Sequence, residues 1–135
     1  MRLASLASAL LVALCVTSAA FVGSVAALEK RKYAAADFKA AQISDRSILV
    51  DISATWCPTC KAQHKVLDSL AKRPEFADVV VFEVDFDSQK DAVKAFNAQQ
   101  QSTLIAFKGS QETRRLVGDT ATESIEGLLE ATLKR

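Results

Sequence analysis

The sequence predicts an α/β domain across residues 28–135, and three observations carry that reading. The β-branched runs Ser47–Ser53 and Val79–Asp85 have the length and character of buried strands. Segments with apolar side chains at helical spacing alternate with them. The first run leads into Trp56-Cys57-Pro58-Thr59-Cys60, a cysteine pair at the entrance to a helix.

In chain order, residues 32–34 begin a short edge strand and residues 35–42 a helix. After Ser47–Ser53, residues 58–72 form the helix that carries the cysteines. Gln63, Val66, Leu67 and Leu70 make a mainly apolar stripe along it. Val79–Asp85 is the next strand, then residues 88–98 a helix with Ala92, Val93 and Phe96 facing inward. Residues 103–107 and 113–117 form a hairpin across Gly109-Ser110-Gln111, and Thr122–Leu133 is an amphipathic helix. Phe82, Phe86, Phe96 and Phe107 read as core, not as a cofactor-binding set. There is no repeat, low-complexity segment or internal linker.

The N-terminus reads as an export signal: Arg2, an apolar run over 6–16, then small residues ending in Val25-Ala26-Ala27. Cleavage after Ala27 is the first choice, with Ala19 or Ala20 the other sites. Leu14 before Cys15 argues against a lipoprotein signal. An uncleaved anchor is the alternative, because 3–28 carries no charge. Lys30, Arg31 and Lys32 would then sit on the exported side, against the positive-inside tendency, so cleavage is favoured. Either way the domain is placed in the periplasm or another extracytoplasmic space, soluble unless the leader is retained. Losing Arg2 with the leader leaves 16 basic against 16 acidic side chains, which excludes the basic footprint of a nucleic-acid binder.

Two cysteines two residues apart can close a small disulfide and act as a reversible two-electron switch. At a helix N-terminus the amide groups and the helix dipole stabilise a thiolate, which makes Cys57 the expected exposed nucleophile and Cys60 the buried resolver. Pro58 suits the first turn, where its missing N–H costs least, and Thr59 is expected to adjust the potential.

The element order and motif resemble the thioredoxin fold, a central mixed sheet of four to five strands flanked by helices. The resemblance covers about residues 32–135. Asp51 lies six residues before Cys57, as the buried acid does in thioredoxins, and the 104–108 strand followed by Gly118 matches the terminal hairpin. The stretch Ala54-Thr55-Trp56-Cys57-Pro58-Thr59-Cys60, with Lys61 and His64 after it, is similar to exported reductases of cytochrome c maturation. The resemblance implies a monomeric thiol-disulfide oxidoreductase without cofactor, reducing exported proteins and fed by a membrane electron donor. Exported oxidases of the family carry a helical insertion between motif and later strands, for which this chain has little room.

By that resemblance, Cys57 attacks a disulfide, Cys60 resolves the mixed disulfide, and Asp51 deprotonates Cys60. Asp51 as a merely structural acid is the other reading. Glu83 stands where thioredoxins often have a lysine, and two carboxylates side by side disfavour joint ionisation. A solvated strand-edge glutamate is an equal alternative. Trp56 is expected to cover the disulfide and meet partners, or to pack at the core rim. His64, a turn after Cys60, reads first as an ordinary helix histidine and second as a modulator of the site.

The family's cis-proline is replaced by Ser102, before Thr103. A trans bond is expected, or a specially supported cis one. Gln101, Ser102 and Thr103 are then the stretch that pairs with an extended partner segment, in a groove left adaptable by the missing proline. A different class stays open: soft-metal delivery of copper or zinc through Cys57, Cys60 and His64, one ligand short of a structural zinc set.

Overall fold

The structure is a computed structural model that describes residues 27–134; the expected leader, apart from Ala27, lies outside the described residues. Five strands and four helices follow one another as β1 (Glu29–Lys32), α1 (Ala35–Ile43), β2 (Ser47–Ser53), α2 (Pro58–Leu70), β3 (Val79–Asp85), α3 (Lys90–Ala95), β4 (Thr103–Lys108), β5 (Gln111–Val117) and α4 (Thr122–Leu133). A 3-10 turn, Pro74–Phe76, links α2 to β3. No helix of the described residues is long and apolar enough to cross a membrane.

The strands form one mixed sheet in the order β1-β3-β2-β4-β5. β3 runs parallel to β1 and β2, while β4 is antiparallel to β2 and β5. Central β2 is buried on both faces, which is why between its terminal serines it reads as an apolar run interrupted only by Asp51 instead of an alternation. Period-two geometry still sorts its side chains. Ile48, Val50 and Ile52 face Phe38 of α1 and Val93 of α3, together with Phe82, Phe96 and Phe107. Leu49 faces Leu67 and Leu70 of α2 and Ile125, Leu128 and Leu129 of α4. Asp51, two residues further along, therefore points to the α2 side.

Apart from shifts of one or two residues at the ends of α1, α2 and β4, three boundaries differ from the sequence reading. β1 starts at Glu29, not Lys32, because its bonding to β3 is made by the backbone and all four side chains are exposed. Tyr33 continues the ladder, its N–H donating to Glu83 O at 2.8 Å. α3 is shorter than expected, since Asp85 Oδ1 accepts from the N–H groups of Asp87 and Ser88 and from Ser88 Oγ, holding a turn before the helix. β5 begins at Gln111, which pairs with Lys108, so the hairpin loop is only Gly109-Ser110.

Gly109 takes φ +55° in that loop, and a Cβ there would lie 2.6 Å from Asp45 Oδ1 and 3.3 Å from Gln42 O. Gly109→Ala should destabilise the domain by about 1–2 kcal/mol from the backbone conformation alone. Urea unfolding checks this; an unchanged midpoint would show that the turn relaxes without cost.

Candidate active site

Strand β2 ends at Ser53, and three residues later the chain turns into α2. Cys57 is the N-cap of that helix, with extended backbone, and Pro58 occupies the first turn. The Cys57 sulfur accepts a hydrogen bond from the Cys60 N–H at 3.0 Å, which satisfies one of the free amide donors of the helix end. Cys57 and Cys60 are joined as a disulfide with Cα atoms 5.3 Å apart, inside the span a disulfide accepts.

Both cysteines are buried, each 1% exposed, so in the oxidised form exposure does not single out Cys57 as the sequence reading expected. The closed ring packs both against Ala54, with Phe86 alongside. What separates the two is the helix: Cys57 stands at its end and Cys60 one turn inside. Phe86 was read only as core and is a neighbour of the disulfide. Pro58 is exposed and Thr59 half-buried.

Asp51 projects from β2 toward α2, its side chain 2% exposed. Its Oδ2 is 2.6 Å from His64 Nε2, and its Oδ1 is buried without a hydrogen-bond partner in the protein. The hydrogen bond to Asp51 raises the His64 pKa above the ordinary histidine value, burial opposes the rise, and the charges of Asp51 and Glu83 add to it. His64 is thus the direct partner of the buried acid, a contact the sequence reading did not name. Glu83 is the register partner of Asp51 across β2 and β3 and is half-buried. It shares the Asp51 face of the sheet, but the close contact of Asp51 is the imidazole.

A cleft of about 530 Å³ opens beside these groups. Cys60 and His64 line it from α2, Glu83 and Asp85 from β3, and Lys32 from β1.

Trp56 is 57% exposed and its Nε1 donates to Asp87 Oδ2 at 2.7 Å, tying the indole to the turn after β3. The stretch Gln101-Ser102-Thr103 precedes and begins β4, with Ser102 and Thr103 buried and Gln101 half-buried. Among the described residues there is no cis peptide bond, and Ser102 instead takes φ +58°. Its carbonyl accepts from Gly118 N–H at 2.8 Å and from Gln63 Nε2 at 3.1 Å. Gln63 Nε2 also donates to Asp119 O at 3.0 Å. This fully buried amide fastens the loops before β4 and after β5 to α2. The sequence placed Gln63 in an apolar stripe; a polar residue at a core position was the signal for such a role.

The thioredoxin family profile matches residues 28–131. H-type thioredoxin of Brassica campestris is 37% identical over 91 residues, spanning 67% of this chain and 72% of its own. Thioredoxin H3 of Arabidopsis thaliana is 37% identical over 90 residues, 67% of this chain and 75% of its own. The crystal structure of Trxlp from Edwardsiella tarda EIB202 superimposes with a TM-score of 0.71 at 42% identity, covering 74% of this chain and 98% of that one. The chain belongs to the thioredoxin family. Its activity is that of a thiol-disulfide oxidoreductase, and Cys57–Cys60 fits the redox-active pair.

Two expectations follow. A histidine whose folded pKa is raised stabilises the fold in full below about pH 6.5, and the gain is lost as pH rises through the folded value. The difference in melting temperature between wild type and His64→Leu should therefore be largest near pH 6 and shrink toward alkaline pH; a pH-independent difference would refute the linkage. Separately, proline holds φ near −65° and does not fit the Ser102 backbone. Ser102→Pro should cost more than about 1 kcal/mol in urea unfolding, and wild-type stability would show the loop rearranging freely.

Proposed function

We propose that the protein is an exported reductase of protein disulfides, re-reduced by an electron carrier in the membrane. The observation that carries this reading is the Cys57–Cys60 disulfide at the N-terminus of α2, the helix whose His64 is bonded to the buried Asp51. The reductive direction is supported by the short path from α2 to β3, a single 3-10 turn without helical insertion. Export is supported by Arg2, the apolar 6–16 run and the small residues up to Ala27. Service to cytochrome c maturation rests on the 54–60 motif alone, since the relatives above are named as thioredoxins. The apolar clusters on both sheet faces are closed within one chain, in keeping with a monomer.

In the reduced protein, the Cys57 thiolate attacks a partner disulfide and releases one partner thiolate, leaving a Cys57–partner bond. Cys60 loses its proton to Asp51 and attacks the Cys57 sulfur. The Cys57–Cys60 bond forms, and the second partner sulfur leaves and takes up a proton. The partner gains two electrons and the pair is oxidised. The extended partner segment lies along Gln101-Ser102-Thr103, with Trp56 as its apolar contact.

Soft-metal delivery draws less support. The His64 Nε2 is engaged by Asp51, and among the described residues no three His, Cys, Asp or Glu side chains form a metal-holding group.

The equilibrium potential of the Cys57–Cys60 couple tests the direction: about −270 mV is expected for a reductant, and about −120 mV would overturn it. Cys60→Ser should accumulate extracytoplasmic proteins as mixed disulfides through Cys57; capture of cytoplasmic clients alone would overturn export. Asp51→Asn should slow resolution at neutral pH, with the deficit closing as Cys60 ionises unaided. Equal slowing at every pH would make Asp51 structural.

A further inference from the structure

We propose that His64 is a positioning residue of the resolving step: held on Asp51 Oδ2, it orients the carboxylate and leaves Oδ1 to take the Cys60 proton. The inference rests on Asp51 being the base. Its geometry comes from three independent facts. The His64–Asp51 bond occupies one carboxylate oxygen only. The other oxygen is closed from solvent and has no partner in the protein. Cys60 and His64, one turn apart on α2, line the same cleft.

The proton passes from Cys60 Sγ to Asp51 Oδ1, leaving a thiolate and a neutral acid, and only an oxygen not already engaged by His64 can receive it. The thiolate then attacks the Cys57 sulfur, the Cys57–partner bond breaks, and the partner thiolate leaves. The Asp51 proton returns to solvent afterwards.

The other charged groups facing His64 are Lys30 and Lys32 on β1, Lys61 on its own helix, and Glu83 and Asp85 on β3. Lys30 is engaged by Asp68 at 2.6 Å and opposes the rise in the His64 pKa, whereas Glu83 reinforces it. Asp51 is the one in hydrogen-bond contact.

The test uses the reduced protein and 5,5′-dithiobis(2-nitrobenzoate), following mixed-disulfide formation and then release of the second thionitrobenzoate by Cys60 in stopped flow. His64→Leu should lower the ratio of resolution to formation rate about fivefold at pH 7, the size expected on losing one hydrogen bond to the base. The gap should close above about pH 9, where the thiol ionises unaided. His64→Gln, which keeps a donor toward Asp51 Oδ2, should restore most of the rate, and His64→Phe, which keeps only a ring, should not. Wild-type kinetics in His64→Leu, a loss equal at all pH values, or no rescue by Gln would each overturn the proposal. Asp51→Asn separates it from the reading beneath. If Asp51→Asn slows resolution and His64→Leu does not, this inference fails alone; if Asp51→Asn has no effect, the assignment of the base fails first.

Discussion

A carboxylate set into the apolar face of a sheet has to be answered from outside that sheet, because the strand backbones are already committed to their ladders. In this protein the answer comes from α2. Asp51 projects from the centre of β2 toward that helix, and His64 meets it. The helix is also held by Leu67 and Leu70 against Leu49, Val81 and Leu104. Docking α2 so that His64 reaches Asp51 fixes where its first turn lies, and that turn is the disulfide. The electrostatic demand of one buried acid and the placement of the redox pair are therefore one constraint.

The strands and helices that bury a patterned face were legible in the sequence. β2, β3 and α4 keep their expected bounds because continuous apolar runs and a helical stripe leave little choice of register. β1 was displaced by three residues because Glu-Lys-Arg-Lys carries no burial signal and its partner, β3, is far along the chain. The 3-10 turn Pro74–Phe76 went unread although Phe76 is fully buried in the core beside α4.

The site was legible where chemistry and spacing coincide locally, and not where it depends on tertiary approach. Cys57, Pro58 and Cys60 announce a capped helix by themselves. The Asp51–His64 contact spans thirteen positions and two elements, so neither residue alone reveals the other. The Asp87 contact of Trp56 and the packing of Phe86 against the disulfide likewise exist only once the turn after β3 is folded. Ser102 was recognised as a departure, but its backbone conformation was not foreseeable: a left-handed serine is held by carbonyl bonds from Gly118 and Gln63, both distant in sequence.

That buried glutamine has a consequence for inheritance. Cys57 and Cys60 sit on the first turn of α2, while Gln63, on the second, holds the loops that frame the disulfide. If clients lie along the loop before β4, as proposed, electron chemistry and client choice are written in adjacent letters of one helix but in different bonds. A gene copy that changes residue 63, 102 or 119 would then reshape that loop while keeping its redox pair. Such a layout lets one ancestral domain give rise to a set of specialists.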